Sequence, residues 1–290
     1  MNVKVTIGIP FYNGQKYLHD AILSVVNQTY KNWNLILIDD GSTDGSLEIA
    51  MAFKSDKISV ISDGQNLGLV YRLNQIVSLA DGDYYARMDA DDIMDFRRIE
   101  KQIAYLENNT SIDVVGSSYY AINADNEILG VRKANHTPKS VKDILRNGCF
   151  AHPSVMGKLS WFQNNKYDGK WERMEDLELW IRTFPGSQFR NLEEPLLFYR
   201  VFGIPVLTKY VKSNIGIIKL LKIQGKYLIS LYDRIFFTFF FAFKIVVYTV
   251  LNLIGKTDVI LKKRFEILSE YQYIEAKENL LKSITKKDLH

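Results

Sequence analysis

The feature that most constrains this chain is a regular alternation of two kinds of apolar segment over residues 1–92. Short runs rich in Val, Ile and Leu, typical of buried strands, alternate with segments whose apolar residues recur at helical spacing. The predicted strands are 3–9, 35–38, 58–61 and 83–88, and the predicted helices are 18–26, 47–53 and 69–79. This order predicts an α/β fold with a parallel sheet flanked by helices, and ligands bound beyond the carboxyl ends of the strands.

The fourth predicted strand runs directly into a group of carboxylates. Residues 84–92 read YYARMDADD, so an apolar segment ends in Asp89, Asp91 and Asp92. Asp89 and Asp91 are two residues apart, so on an extended strand they would point the same way and could share one divalent cation. The alternative is a solvated turn in which an Asp caps a helix beginning near Ile93. We favour the cation site because the surrounding strands converge on this edge.

Length and composition exclude several classes of protein. With 290 residues and 47% hydrophobic content, the chain can bury a sizeable core. The single cysteine, Cys149, excludes an internal disulfide framework and a multi-cysteine zinc site, and it fits a reducing compartment. Residues 1–10 have the pattern of a strand rather than of a secretory leader. We therefore expect a cytoplasmic location.

The charge is unevenly distributed along the chain. From Arg200 to the end there are 16 Lys and Arg against 7 Asp and Glu, whereas residues 1–199 carry 21 against 26. An acidic body followed by a basic, aromatic segment suggests contact with an anionic surface. The alternative is a basic face that contacts only water. We expect no nucleic-acid partner because the chain has no recognisable base-reading motif.

Two common nucleotide-binding sites are excluded by spacing. A dinucleotide site requires G-x-G-x-x-G directly after the first strand, but this strand ends in IGIPFYNG. The phosphate-binding sequence G-x-x-x-x-G-K-[ST] is also missing from the chain.

The second half of the chain carries another acidic pair. Its predicted elements are a helix at 96–108 and strands at 114–122 and 128–131, joined by a hairpin turn at 124–127. Glu175 and Asp176 precede a segment with helical apolar spacing. Adjacent helical residues point about 100° apart, so at most one of the two can face a given reacting atom. Acidic residues also favour helix N-termini through the dipole, which is the alternative here. The role of His152 stays open.

Residues 235–254 form the most apolar segment of the C-terminal part. The segment is 20 residues long, the length of a membrane span, but Lys244 lies at its centre, at a cost of about 2.5 to 3.5 kcal/mol. Its apolar residues form a helical stripe flanked by Lys and Arg, which predicts a helix lying in the interface of an anionic membrane. The alternative is that the stripe packs on the rest of the protein. A charged amphipathic helix is expected at 258–287.

Six motifs in order resemble one enzyme family. They are IGIPFYNGQKYL, QTYKNWNLILIDDGSTDGS, NLGL, DGDYYARMDADD, HPSVM and MEDLELW, and together they span roughly residues 3–200. This set resembles the family 2 glycosyltransferases, whose fold is GT-A, a mixed and mainly parallel sheet flanked by helices. The resemblance implies an inverting transfer of sugar from a UDP-sugar, with Mg or Mn as the cation.

The resemblance also implies roles for individual residues. Asp40 would bind the uracil edge, and Asp89 and Asp91 would hold the ribose and the metal. Other nucleotide contacts would come from Pro10, Phe11 and Tyr12, which would wall the base, and from Asn66, Gly68 and Arg72. Ordinary alternatives exist: Asp40 as a cap for the helix after Ser42, Asn66 and Gly68 as a plain turn, and Arg72 or Arg87 either near phosphate or simply solvated.

In such a transfer the acceptor hydroxyl loses its proton as it attacks the sugar, and a carboxylate is the usual base. The resemblance assigns this role to Asp176, with Glu175 as the neighbouring candidate. Two departures from the family are informative. Val201, Phe202 and Gly203 follow Arg200, where many members carry a histidine, and the processive motif Q-x-x-R-W is missing. We therefore expect the transfer of one sugar per encounter.

These observations predict two parts. Residues 1–204 would form the GT-A catalytic domain, with a nucleotide-binding half at 1–92 and an acceptor half at 93–204. Residues 205–290 would form a helical tail that meets an anionic membrane through 205–264, so that the protein associates peripherally with the inner face of the cell membrane. The expected reaction moves one hexose to a lipid-linked oligosaccharide in surface-glycan synthesis. The alternative is a catalytically silent module that binds sugar or lipid.

Overall fold

A computed structural model describes residues 3–134, 137–171, 173–203, 206–257 and 265–285. Its strands are β1 (Val5–Phe11), β2 (Trp33–Asp39), β3 (Ile58–Ser62), β4 (Tyr84–Arg87), β5 (Ile93–Met94), β6 (Val114–Ile122), β7 (Ile128–Arg132), β8 (Met156–Lys158) and β9 (Phe189–Arg200). Its helices are α1 (Leu18–Val26), α2 (Ser46–Ala52), α3 (Leu69–Leu79), α4 (Arg98–Asn108), α5 (Val141–Asn147), α6 (Leu159–Asn164), α7 (Glu175–Thr183), α8 (Leu207–Ile223), α9 (Gly225–Leu228), α10 (Leu231–Leu253) and α11 (Glu270–Ile284).

The first half of the sheet has the predicted parallel arrangement. β1 lies between β2 and β4, and β3 pairs with β2, all in parallel. The first strand does not end at residue 9 as predicted, because β1 continues to Phe11 along β2. The missing N–H of Pro10 is tolerated there because the pairing of β1 with β4 stops at Gly8.

The second half adds strands of mixed direction. The order along the sheet is β3, β2, β1, β4, β8, β6, β9, β5, with β7 paired to β6. β8 runs antiparallel to both β4 and β6, whereas β9 runs parallel to β6. The predicted hairpin of β6 and β7 is confirmed. The alternative of a helix that begins near Ile93 is wrong, because Ile93 and Met94 pair with β9, whereas the helix predicted at 96–108 is present as Arg98–Asn108.

Buried apolar side chains fill both faces of the sheet. One cluster lies between the sheet and α1 and α4, and includes Ile7, Leu37 and Ile103. The other lies under α3, α5, α6 and α7, and includes Trp180 and Phe189. Because β1, β2 and β4 run parallel, their carboxyl ends meet at one edge of the sheet above this core.

The predicted tail is packed against the rest of the protein. Phe237 and Phe241 of α10, and Leu220 and Leu221 of α8, belong to the same buried cluster as Trp180. The buried carboxylate of Glu178 in α7 accepts a hydrogen bond from Gln224 Nε2 at 2.8 Å. The predicted boundary at residue 204 thus divides segments that share one core.

The C-terminal helix α11 returns to the body rather than extending the tail. Asn27 at the end of α1 donates to the carbonyl oxygens of Ser283 and Thr285, both at 2.9 Å. Ala276 and Leu280 pack beside Phe198 in a third buried cluster. The helix predicted at 258–287 is therefore shorter. Residues 258–264, with the flanking cations Lys262, Lys263 and Arg264, lie outside the described residues.

Candidate active site

Asp40 and Arg72 form a closed cluster beyond β2. Arg72 is completely buried and donates five hydrogen bonds, so every N–H of its guanidinium has a partner. Nε donates to Asp40 Oδ1 at 2.9 Å, and Nη1 and Nη2 donate to the two oxygens of Asp63 at 2.9 and 2.6 Å. The hydrogen bonds from Arg72 lower the pKa of Asp63 to about 2. The expectation that Arg72 neutralises a phosphate is not supported, because its donors are already used.

Asp40 also closes the turn before the helix that carries Arg72. Its carboxylate accepts from the backbone N–H groups of Leu67, at 2.8 Å, and Gly68, at 3.0 Å, which precede α3. The alternative, Asp40 as a cap for the helix after Ser42, is wrong, because α2 begins at Ser46 without a side-chain cap and Ser42 N donates to Asp39 Oδ1 at 2.9 Å. The carboxylate of Asp40 thus closes the turn before α3. Its Oδ1 accepts three hydrogen bonds and its Oδ2 accepts one, so Oδ2 is the oxygen with capacity to accept from a ligand.

The neighbouring predicted residues of the nucleotide site differ in accessibility. Tyr12 is 51% exposed, whereas Phe11 is 2% exposed and packs in the core. The prediction that the Phe11 ring walls a base is therefore wrong, since burial leaves only its backbone near this edge. Asn66 lies in an exposed turn, and Gly68 needs its glycine because its φ is +84°.

Asp89, Asp91 and Asp92 form a second, open cluster. β4 ends at Arg87, so the acids lie in a turn rather than on an extended strand, and the expected strand alternation is wrong. One oxygen from each carboxylate nevertheless lies within 4.8 Å of the others. Burial and the charge of Asp89 raise the pKa of Asp91 to about 6, and burial also raises the pKa of Asp92 well above its ordinary value.

This open cluster fits a divalent cation. Asp92 Oδ1 accepts from Arg200 N at 2.8 Å, but its buried Oδ2 has no partner among the described residues. Three crowded carboxylates with an orphaned oxygen repel one another, and a hard cation such as Mg²⁺ or Mn²⁺ would relieve that repulsion.

Arg87 lies at the base of the acid cluster. It is 2% exposed, and its Nη2 pairs with Asp89 Oδ1. Its Nε and Nη1 lack hydrogen-bond partners within the part of the chain that the structure describes. Sequence reasoning left Arg87 undecided, although one signal was present: a charged residue at the end of the otherwise apolar strand β4 requires a partner when buried.

The second acidic pair begins α7. The side chains of Glu175 and Asp176 are half-buried at its first turn, where the helix dipole favours carboxylates. Asp176 Oδ1 accepts from Leu177 N at 2.7 Å. Burial raises the pKa of both side chains above the ordinary values of Asp and Glu. A carboxylate with a raised pKa and an accessible edge is suited to accept a proton.

A cleft of about 590 Å³ brings these groups together. It is lined by Asp89, Arg87, Glu175, Asp176 and His152, among others. An adjoining cleft of about 650 Å³ is lined by Gly68, Leu69, Arg173 and Glu175. All of these except Gly68 also line the first cleft. Acids that are distant in sequence, from the turn after β4 and from α7, thus share one space.

His152 lines the cleft of about 590 Å³. Its Nε2 is 2.8 Å from the hydroxyl of Tyr167, and burial holds its pKa well below the usual range. The imidazole thus has a hydrogen-bond partner within the protein, and its role stays open.

Sequence comparison gives the family of this chain. Residues 6–168 match the family described as glycosyl transferase family 2. The glycosyltransferase EpsE of Bacillus subtilis is 39% identical over 202 residues, covering 67% of this chain and 71% of EpsE. The chain belongs to glycosyl transferase family 2. The O-antigen biosynthesis glycosyltransferase WbnJ of Escherichia coli is 32% identical over 208 residues, covering 68% of this chain and 79% of WbnJ.

Solved structures agree on the fold of this family 2 glycosyltransferase. TarS 1–349 of S. aureus, in complex with UDP, is similar with a TM-score of 0.56 at 14% identity, covering 80% of this chain and 77% of TarS 1–349. A mannosyltransferase of Pyrobaculum calidifontis, in complex with GDP-Man and Mn²⁺, gives 0.60 at 11% identity, covering 97% and 86%. The predicted GT-A fold is confirmed.

Proposed function

We propose that this glycosyltransferase moves a single hexose from a UDP-sugar, with inversion, to a lipid-linked oligosaccharide used in surface-glycan synthesis. The observation that carries the proposal is the shared cleft, in which Asp89 of the acid cluster and Asp176 of α7 line the same space. A sugar held between them would meet the donor's leaving group on one side and a proton acceptor on the other.

The donor side of this proposal rests on the acid cluster. Asp89 and Asp91 would hold Mg²⁺ or Mn²⁺, which screens the negative charge of a leaving diphosphate when it is bound. A UDP-bound and a UDP-GlcNAc-bound neighbour, and a neighbour bound to GDP-Man and Mn²⁺, support a nucleotide-sugar donor. Tyr12, the one exposed ring of the predicted base wall, and Asp40 lie at the ends of β1 and β2 and would receive the base.

The acceptor side rests on Asp176. The acceptor hydroxyl oxygen attacks the anomeric carbon, the bond to the UDP oxygen breaks, and the hydroxyl proton moves to the Asp176 carboxylate. Burial favours the protonated form of this side chain, so the proton is accepted readily. Glu175 at the lip of both clefts is placed to contact substrate.

The surface-glycan setting is supported by a relative named for O-antigen biosynthesis and by α10. Within the described ranges, α10 is the one helix long and apolar enough to cross a membrane, with a mean hydropathy of 1.9, and 17% of that apolar window is buried. Phe239 and Phe243 on its outer face are 72% and 66% exposed, while Phe237 and Phe241 pack inward. This half-packed helix favours a protein that lies on the membrane surface, where lipid-linked acceptors are found.

A donor panel tests the proposed activity. The purified enzyme with Mn²⁺ or Mg²⁺ is incubated with UDP-glucose, UDP-galactose, UDP-GlcNAc, UDP-GalNAc and GDP-mannose, and release of UDP or GDP and the shift in melting temperature are measured. We expect one UDP-hexose to raise the melting temperature and to be hydrolysed slowly only with the cation. Protection by GDP-mannose alone would contradict the UDP assignment, and no protection by any donor would contradict the proposed transfer.

A further inference from the structure

Arg200, the last residue of β9, lies beside the turn that carries the acid cluster. It is 3% exposed, and its backbone N–H donates to Asp92 Oδ1 at 2.8 Å, although Asp92 precedes it by 108 residues. Its side chain reaches the same turn, because Nε donates to the backbone carbonyl oxygen of Asp91 at 2.8 Å. One arginine thus holds two consecutive residues of the acid cluster.

The rest of the guanidinium holds a second turn, the hairpin turn between β6 and β7. Nη1 donates to the carbonyl oxygen of Asn123, and Nη2 donates to Asn126 Oδ1 at 2.7 Å. Asn126 has a φ of +64°, in the left-handed region that Asn adopts more readily than most residues. Its Nδ2 donates in turn to Asp20 Oδ2 in α1, at 3.1 Å. Arg200 therefore ties the acid turn to the hairpin turn, and Asn126 ties the hairpin turn to α1.

The side-chain hydrogen bonds of Arg200 go to neutral oxygens. Within the part of the chain that the structure describes, its three acceptors are two backbone carbonyl oxygens and one amide oxygen. An ion pair with the Asp91 carboxylate would take up an oxygen that a divalent cation needs, whereas a bond to the carbonyl oxygen of the same residue does not. The guanidinium thus fixes the path of the turn without occupying the Asp91 carboxylate.

The guanidinium also lies on an aromatic ring. Its central carbon is 4.2 Å from the centroid of the Tyr17 ring, which precedes α1. A planar guanidinium can stack on a ring and donate to several acceptors at once, whereas the ammonium of a lysine cannot reproduce that fork. The site of Arg200 is therefore built for the shape of the side chain as well as for its charge.

The charge of Arg200 alone would not help a cation to bind. Asp89, Asp91 and Asp92 each place one oxygen within 4.8 Å of the others, and a positive charge beside them repels a second cation. Any benefit has to come from holding those oxygens in place. Residues that hold metal ligands in this way typically change metal affinity by about 10- to 100-fold when they are replaced.

We propose that Arg200 is a positioning residue of the cation site, which holds the turn of Asp91 and Asp92 against the hairpin turn so that their carboxylates bind one divalent cation together. This inference rests on the cation site of the proposed function. It makes the second half of the chain, through β9 and the hairpin turn, part of a site whose acids all come from the turn after β4.

The experiment measures the affinity for Mn²⁺ in the presence of saturating UDP, from the electron paramagnetic resonance signal of free Mn²⁺. Arg200→Lys keeps the charge but loses the fork of N–H groups, so it should bind Mn²⁺ about 10- to 100-fold more weakly. Arg200→Met also removes the repelling charge and should still bind more weakly than the wild type. Affinity for UDP without Mn²⁺, measured by calorimetry, should stay nearly unchanged in both variants.

Two further variants separate positioning from general destabilisation. Arg182 also joins two segments, since Nε donates to Glu178 Oε1 at 2.7 Å and Nη2 to the carbonyl oxygen of Lys166 at 2.8 Å, but it lies in the last turn of α7. Arg182→Met is the matched control and should lower the melting temperature without changing Mn²⁺ affinity. Asn126→Gly suits the left-handed backbone but removes the amide that holds Arg200, so it should weaken Mn²⁺ binding in a folded protein.

The outcomes distinguish this inference from the proposed function. Tighter Mn²⁺ binding by Arg200→Met would show that Arg200 acts only through its charge, and equal losses in Arg182→Met and Arg200→Lys would show general loosening; either result overturns the positioning role. If the wild type binds Mn²⁺ and both Arg200→Lys and Asn126→Gly bind it equally well, only this inference fails. If the wild type binds UDP but no Mn²⁺, the cation site of the proposed function fails, and the role of Arg200 fails with it.

Discussion

Two buried arginine and aspartate clusters stand at the same edge of the sheet, and they differ in how completely they are satisfied. In the cluster of Arg72, Asp40 and Asp63, all five guanidinium N–H groups are used within the protein. In the cluster of Arg87 and the acids after β4, two guanidinium nitrogens and one carboxylate oxygen lack partners among the described residues. The closed cluster stabilises a turn, whereas the open one is prepared for a ligand.

The comparison separates structural from functional residues that look alike in sequence. Arg87 ends β4 and Arg72 lies in the first turn of α3, and both are buried. Their difference lies in partners supplied by loops, because Gln65 and Asp63 reach Arg72 from the loop after β3. If this interpretation is right, changes in the open cluster should impair catalysis, and changes in the closed cluster should impair folding.

The largest effect is expected from Asp91→Asn in the open cluster. Loss of a cation ligand should reduce transfer by at least about 10³-fold, since cation screening of the leaving group contributes several kcal/mol. Calorimetry should show that Mn²⁺ no longer strengthens UDP binding. Because Asp91 is destabilised by burial and by Asp89, the melting temperature without cation should not fall. Unchanged cation dependence would remove Asp91 from the site.

The next largest effect is expected from Arg72→Met in the closed cluster. Removing one partner of a buried ion pair leaves the Asp40 carboxylate uncompensated, which typically costs about 3 to 5 kcal/mol of unfolding free energy. Urea unfolding followed by circular dichroism measures this loss. Arg146→Met, an arginine at the end of the short helix α5, is the control and should unfold nearly as the wild type. A stable Arg72→Met protein with weak UDP binding would instead place Arg72 in the donor site.

The sequence was sufficient to predict the strands and helices and the acidic type of site. It was not sufficient to predict the hydrogen-bond partners of each side chain. Strand and helix order over residues 1–92 followed from apolar periodicity, because buried faces impose it. The convergence of Asp89 and Asp91 was predicted, yet through strand alternation rather than the turn that brings in Asp92. Contacts such as that between Arg72 and Asp63 depend on loop positions, which local pattern does not encode.

Apolar periodicity alone also could not predict what the tail packs against. An apolar stripe at 235–254 was consistent with either a membrane or the protein as its partner. The structure packs one face of the helix on the protein and leaves the other uncovered, because α10 turns Phe237 and Phe241 into the core and leaves Phe239 and Phe243 exposed. Which face meets α8 depends on the tertiary arrangement of α5, α7 and α8, not on the local sequence.

A smaller effect, and a pH dependence, are expected from Asp176. Asp176→Asn should reduce transfer at least about 10²-fold with donor binding retained, because the residue acts on the acceptor hydroxyl. The base works only when deprotonated, and burial raises its pKa. In the wild type kcat/KM should therefore fall as pH drops through that raised pKa, by about tenfold per pH unit. The variant should lose this acidic limb. If Glu175→Gln loses it instead, Glu175 is the base.

The smallest effect on the isolated enzyme is expected in α10, where the contrast between partnered and unpartnered side chains recurs. Phe239 and Phe243 are exposed, so replacing both with Ser should leave the melting temperature and transfer to a soluble acceptor nearly unchanged. Flotation with anionic vesicles should nevertheless weaken strongly, because each Phe that enters the interface contributes about 1.5 to 3 kcal/mol. Phe237→Ser is the matched control on the buried face and should lower the melting temperature. If the exposed pair can be replaced without any loss of vesicle binding, the outer face of α10 is not the membrane contact.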